Sequence, residues 1–352
     1  MKSKLARFFG IFLCIGIISH SAFAERGVFD LERWDSILND IRNKAINDRI
    51  SISVIDDTLK NPSFIPGIVK SDKNQSEFTL TLDEYLQRTV SNERVLQGKK
   101  KAHEYPTMLN VVEKKFGVPK NVILAFWGLE SNYGKVKSKY QLTDSFLTLI
   151  YEGRREEFFS KQLLALMKIA DKNKLKIKSI RGSWAGAMGH FQFIPTTLSM
   201  YGIDGNADGK VDIINSIGDA MYSAANYLNK LGWNKDEKIV RKVILPADFD
   251  RSLLDGSTKK SLNEWAQYGI TNPDGSPIPQ SEMTAGLVAD TKTIAKHDLQ
   301  QQAQFQAEVD YDVAPSPVIH AYLTYPNFYR IKKWNNSSWY ALAIAELADK
   351  LK

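Results

Sequence analysis

The chain is 352 residues long, with 43% hydrophobic and 25% charged residues, close to ordinary soluble usage, which argues against a disordered, collagen-like or multi-span membrane protein. At roughly 150 residues per domain the length sets a prior of about two domains and is enough to bury a real core. Forty-seven basic against forty acidic residues give a formal charge of +7, of which Lys2, Lys4 and Arg7 belong to the extreme N-terminal segment, so the remainder carries about +4. That mild excess suits an anionic polymer. Nucleic acid is not expected, because the one basic run, Lys99-Lys100-Lys101, reads as a solvated face.

Residues 1–24 read as a secretory signal: Lys2, Lys4 and Arg7, then an apolar run over residues 8–18, then Ala22-Phe23-Ala24 as an A-x-A cleavage site. The other reading, a retained membrane anchor, needs about 20 apolar residues. The only cysteine, Cys14, lies in that run, so a chain starting near Glu25 has no disulfide, zinc thiolate or thiol nucleophile. Ile11-Phe12-Leu13 lacks the small residues of a lipobox, so no lipid anchor is expected.

Further along, residues 29–55 carry helical spacing (Leu31, Trp34, Ile37, Leu38, Ile41) and read as an amphipathic helix followed by a short one. Pro62, Pro66 and Gly67 then break it. Residues 82–101, 107–116 and 158–170 are helical by period. From residue 237 the texture changes: residues 239–245 are β-branched, Pro246 stops them, and turn-rich segments such as Asn272-Pro273-Asp274-Gly275 follow, which suggests a small β-containing module. A Gln-rich stretch at 299–306 is too short for low complexity, and residues 339–351 return to a helix. No repeat of 20 to 50 residues is visible.

Two constellations carry chemistry. Pro119 and Gly134 bracket a helix on which Val122, Ile123, Phe126 and Trp127 stand on the same face as Glu130. Burial there would raise the pKa of Glu130 and leave it able to donate a proton near neutral pH. A glutamate paired with a nearby Arg or Lys, or escaping to solvent at the helix end, is the structural alternative. The second constellation is Ser183-Trp184-Ala185-Gly186-Ala187-Met188-Gly189-His190-Phe191-Gln192-Phe193. Its small residues let backbone approach a ligand closely, while Ser183, Gln192 and the aromatics offer hydrogen bonds and a stacking face suited to a sugar. By composition alone such a strip is more often a tight packing turn.

These strings, with Asn226-Tyr227-Leu228 and Tyr325-Pro326-Asn327-Phe328-Tyr329, resemble the membrane-bound lytic transglycosylase B type, glycoside hydrolase family 103, over about residues 34–351. The resemblance implies a mainly α (α+β) fold, a lysozyme-like helical core with a small β-containing insertion. It implies cleavage of the MurNAc–GlcNAc bond of peptidoglycan without water, leaving 1,6-anhydro-MurNAc ends, with Glu130 as the single acid/base. Ser183, Met188 and Gln192 fall on the family's glycan-contacting strip, with Tyr227, Tyr329 and, more weakly, Tyr85 as further contacts. Trp334 stands where relatives carry tyrosine. The rival readings are a lysozyme-type hydrolase, in which Asp144 or Glu152 folds in as a second carboxylate, and a non-catalytic peptidoglycan-binding or scaffold protein.

Asp204-Gly205-Asn206-Ala207-Asp208-Gly209-Lys210-Val211-Asp212 follows the first nine positions of an EF-hand loop, with Lys210 contributing a carbonyl. Asn215 replaces the bidentate glutamate, and Asp219 is the candidate to close the shell. Structural calcium or an empty Asx-rich turn both fit. No cofactor is expected for the chemistry. The expected organisation is 1–24 signal peptide, 25–236 helical region with catalytic core and metal loop, 237–317 small β-containing module, and 318–352 returning to the core. A periplasmic monomer acting on glycan strands, with cell-wall assembly proteins as possible partners, completes the expectation.

Overall fold

The computed structural model describes residues 29–73, 80–136, 138–290 and 319–352. The signal segment 1–24 with Cys14 and the Gln-rich stretch 299–306 lie outside the described residues. The first helix, Leu31–Asn47, is capped by Asp30, whose carboxylate accepts the Arg33 N–H at 3.0 Å, and it buries Trp34, Ile37, Ile41 and Ala45 at helical spacing. Ile52–Leu59 follows. Pro66, expected to break the chain, instead opens a third helix, Pro66–Lys73, because a first helical position has no use for the N–H that proline lacks. The stretch 82–101 divides into two helices, Leu82–Thr89 and Asn92–Glu104. Ser91 sits at ψ 153° between them and caps the second by accepting the Arg94 N–H.

At the centre runs Lys120–Ser131, the helix that carries Glu130. Its apolar residues are not confined to one stripe: every residue from Val122 to Gly128 is buried, Leu124 and Ala125 as fully as Ile123 and Phe126. A helix apolar all round belongs in the interior. Asn92–Glu104, Pro106–Phe116, Ile217–Lys230 and the C-terminal helix Ser338–Lys350 pack around it. The last of these presents Ala341, Ile344, Leu347 and Ala348, all buried, and Asn121 ties the two together by donating to the Ala348 carbonyl at 2.9 Å. Each fully buried Ile, Leu or Phe stabilises such packing by about 1.5–3 kcal/mol, so the helix position is heavily over-determined before any polar group is considered.

Two small sheets complete the fold. β1 (Tyr140–Gln141) pairs antiparallel with β2 (Arg181–Gly182), which delivers the chain into the Ser183 strip. The larger sheet has the order β3 (Val240–Leu245), β6 (Ile319–Thr324), β5 (Thr284–Ala289), β4 (Lys260–Ser261), antiparallel throughout. It covers its own core of Val243, Leu245, Phe249, Trp265, Leu287 and Leu323, and the Trp265 indole donates to the Ala285 carbonyl. β6 comes from the segment assigned by sequence to the return into the helical core, yet it is an inner strand of the sheet. It runs at once into the helix Pro326–Trp334, whose fully buried Asn327 donates to the carbonyls of Asn234 and Glu237 and accepts the Asn234 N–H. Sheet and site are therefore joined through one short segment. Among the described residues no helix is long and apolar enough to cross a membrane.

Candidate active site

Glu130 lies in the last turn of its helix, half-buried, with Oε1 accepting two hydrogen bonds from the far end of the chain: Trp334 Nε1–H at 2.9 Å and Tyr340 Oη–H at 2.5 Å. Oε2 has no partner among the described residues and is not among the fully buried polar atoms that lack one. Burial pushes the carboxyl up to about 7, against the opposing pull of the Tyr340 and Trp334 donors. No other carboxylate contributes to that shift. In turn, burial and then the neighbouring Glu130 raise Tyr340 well above the usual phenol range, which keeps it a donor at any working pH.

The two donors are held by aromatic packing. Trp334 meets Phe126 at 4.7 Å between ring centres, Tyr227 at 5.0 Å and Phe193 at 5.3 Å. Tyr227 stacks on Tyr201 at 4.5 Å, and its hydroxyl, pushed up to about 12 chiefly by burial, donates to the Lys333 carbonyl at 3.3 Å. Trp334 thus stands between the acid and the expected sugar-facing tyrosine. Neither donor was legible as such: the sequence shows a buried acid that needs partners but not which distant residues reach it.

The Ser183 strip folds as a tight turn and is latched to the acid helix. Ser183 Oγ accepts the Ala187 N–H at 3.0 Å, and Met188 and Phe193 exchange two backbone hydrogen bonds. Gly186 has φ +94°, and a Cβ there would come within 2.2 Å of the Phe146 ring, so both backbone geometry and space demand glycine. Ser131, next to the acid, donates to the His190 carbonyl at 2.6 Å, and Trp127 Nε1–H donates to His190 Nδ1 at 3.0 Å. Three non-glycine residues around this junction, Asn132, Tyr133 and Gln192, lie at φ 48°, 58° and 49°, each costing about 1–2 kcal/mol. Gln192 is partly exposed with its amide donating to the Gly189 carbonyl at 3.0 Å. Met188, expected among the sugar contacts, is 2% exposed; the paired backbone bonds to Phe193 turn it into the core.

Tyr329 and Tyr85 sit apart from this cluster. The Tyr329 hydroxyl bonds to Thr324 Oγ1 at 2.5 Å and to the Gly256 carbonyl at 2.8 Å, on the side of the large sheet. Tyr85 packs on Trp339 at 5.6 Å and lies near enough to Tyr340 to raise its pKa, so it stands behind the donor. Asp144 is buried in the first turn of the helix Leu142–Glu152, its pKa raised chiefly by desolvation and opposed by the Ser63 backbone, Lys178 and the side chains of Thr143 and Gln141. Glu152 accepts the Arg154 N–H. Neither acts on Glu130.

The loop 204–212 has the backbone of its motif, with Ala207 and Gly209 in the left-handed region. It closes on itself: Asp204 accepts the N–H groups of Asp208 and Gly209, Asn206 that of Asp208, and Asp208 that of Lys210. Asp219, expected to close a metal shell, is fully buried and accepts the N–H groups of Gly205, Asn206 and Asp212. Asp212 turns to Ile214 and Asn215. Among the described residues no three His, Cys, Asp or Glu side chains come together in a metal-holding group. These backbone N–H donors hold the carboxylates of the loop and of Asp219 in place.

The profile of the family described as "Transglycosylase SLT domain" matches residues 33–349. The membrane-bound lytic murein transglycosylase B of Escherichia coli (strain K12) is 27% identical over 267 residues, 75% of this chain and 66% of the relative, so this chain spans just under two thirds of that protein's length. The crystal structure of SltB3 from Pseudomonas aeruginosa in complex with NAG-anhNAM-pentapeptide is similar at a TM-score of 0.79 and 35% identity, covering 90% of this chain and 79% of that one. The Escherichia coli lytic transglycosylase SLT35 in complex with calcium shares the fold at a TM-score of 0.73 and 24% identity, covering 91% of this chain and 92% of that one. With a helix-borne acid latched to the Ser183 strip and a profile match spanning 33–349, the chain belongs to the transglycosylase SLT domain family.

Proposed function

We propose that the protein is a peptidoglycan lytic transglycosylase that cuts the MurNAc–GlcNAc β-1,4 bond without water and leaves 1,6-anhydro-MurNAc ends, with Glu130 as its single acid/base. The observation that carries this reading is the Glu130 carboxyl itself: protonated up to about pH 7, fixed through Oε1 and unpartnered at Oε2. Oε2 is then the oxygen that hands a proton to the glycosidic oxygen as the bond breaks. Ordinary glycosidases place a second carboxylate about 5–10 Å away as nucleophile or base. Among the described residues no carboxylate contributes to the Glu130 shift, and in this reading the substrate supplies the missing groups. Its 2-acetamido group supports the oxocarbenium-like centre, and its own 6-hydroxyl attacks C1 while the Glu130 carboxylate takes the hydroxyl proton, which regenerates the acid. The anhydro sugar bound to the SltB3 relative supports this product.

Glu130→Gln keeps the shape and abolishes proton donation, so turnover of purified peptidoglycan should fall by at least about 100-fold, while the fold and strand binding persist. Mass spectrometry of wild-type products should show anhydro ends. Reducing ends would identify a hydrolase, and no release a binding protein.

The pH dependence follows from the direction of the shift. Glu130 keeps its proton in the folded chain up to about pH 7, whereas the unfolded chain releases it near 4.5. The folded state therefore binds more protons between these values, and its stability from this group falls as pH rises through the window. Activity that needs the protonated form should fall on the alkaline side near pH 7. Tyr340→Phe removes a donor that favours the carboxylate, so the alkaline limb of the kcat profile should move upward. A limb unchanged in that variant would show that another group sets it.

We further infer that calcium, where bound, is structural and uses the oxygens of Asp204, Asn206, Asp208 and Asp219 with the Lys210 carbonyl and Asp212 as a further candidate, a hard-donor set. Excess calcium should then raise the melting temperature and a chelator lower it, following RT ln(1 + [L]/Kd). A melting curve indifferent to both would leave the loop a self-closed turn.

Export to the periplasm rests on the sequence of residues 1–24. The mature protein is expected to show an intact mass starting near Glu25 with no lipid, and a lipidated mass would overturn that location.

A further inference from the structure

A second concave site lies outside the acid cluster, where the large sheet meets the helix Pro326–Trp334. It encloses about 290 Å³ between Lys259, Arg330 and Lys333, over an apolar floor of Tyr329, Pro326 and Leu231. That volume falls at the bottom of the range of clefts that take whole small-molecule ligands, so it suits one end group rather than a sugar chain. The Lys259 ammonium is seated with care: it lies 3.3 Å from the centre of the Tyr329 ring and donates to the Gly256 carbonyl at 2.8 Å. A Cβ on Gly286 would come within 2.5 Å of that nitrogen, so the strand leaves room for it there.

The charges around this cleft do not balance. Arg330 reaches Glu237 at 3.6 Å, and Asp255 acts on Lys259 from a distance while its carboxylate is held by Ser257 and Thr258. Lys333 and the adjoining Lys332 have no acidic partner among the described residues; Lys332 donates to Ser338 Oγ. Among the described residues, Glu237 and Asp255 are thus the acids that act on the three cations lining the cleft. Burial, and then Lys332, lower the Lys259 pKa to about 8 against the opposing pull of Asp255.

The cleft also adjoins the site. Lys333 carries the carbonyl that accepts the Tyr227 hydroxyl, and the next residue, Trp334, bonds to Glu130.

Resting on the function proposed above and deepening it, we propose that the Lys259–Arg330–Lys333 cleft is a seat for a carboxylate of the peptide branch carried by the glycan. Lysine ammonium groups on a floor of aromatic and aliphatic side chains form charge-assisted hydrogen bonds to a carboxylate without demanding one fixed geometry, which suits a flexible branch.

Calorimetry of the intact protein with NAG-NAM-pentapeptide and with NAG-NAM capped as its lactyl amide tests the assignment, because the lactyl carboxyl is an amide in both ligands and only the first carries peptide carboxylates. Wild type should bind the peptide-bearing ligand about tenfold more tightly. The double variant Lys259→Gln, Lys333→Gln should lose that margin and keep its affinity for the capped NAG-NAM. A margin that survives the double variant overturns the proposal. So does an equal loss for both ligands, which would mean that Tyr329 had been disturbed, and so does displacement of the pentapeptide ligand by inorganic phosphate at matched ionic strength, which would make the cleft a plain anion seat. Turnover of peptide-free strands by wild type, measured alongside, judges the proposed reaction separately, since the binding margin can be present or absent whatever bond is cut.

Discussion

The two hydrogen bonds that Trp334 and Tyr340 donate to one oxygen of Glu130 join residues 204 and 210 positions apart, and much of the fold can be read as the means of making them. A carboxyl taken out of water is costly unless its hydrogen-bonding capacity is met. The fold meets it on one side only. Two neutral donors satisfy Oε1 without supplying a positive charge, so the pKa stays raised; a lysine or arginine in either place would have pulled it down and left a carboxylate unable to donate a proton.

Holding those donors needs rigid supports on both sides. The acid helix is fixed by apolar burial on every face, and the C-terminal helix by its alanine-rich surface against it. Trp334 is wedged among Phe126, Phe193 and Tyr227. The Ser183 strip is then fastened to the same helix through Ser131 and Trp127, both bonded to His190. The left-handed residues Asn132, Tyr133 and Gln192 mark where the backbone is bent to allow this, and the surrounding core offsets their strain.

The sequence disclosed the parts that are local. Glu130 stood out because an acid on an apolar helix face breaks a periodic rule, and the Ser183 strip because small residues beside aromatics suit a sugar, although the same composition also makes a tight packing turn. The helices over 107–116 and 158–170 followed from period. What depended on pairing across the chain was hidden: Trp334 drew notice as a departure from tyrosine, Tyr340 drew none inside an apolar helix, and β6 gave no sign that it would enter the sheet as an inner strand. Met188 looked exposed by neighbourhood and is buried by its backbone bonds to Phe193. Asp219 looked like a cation ligand because its residue type fits, and nothing in the residue order signalled that its oxygens also accept three backbone N–H groups.

The distance in sequence between the acid and its donors also orders events during synthesis. When residues 120–131 emerge from the ribosome, the helix can pair with nothing that tunes Glu130, since Trp334 and Tyr340, 204 and 210 positions after it, are still to be made. A chain stopped short of them keeps the acid but not the environment that holds its proton. Competence thus arrives only once residues 334 and 340 have been made and packed, a safeguard written into topology for a protein whose proposed target is the wall that encloses the cell.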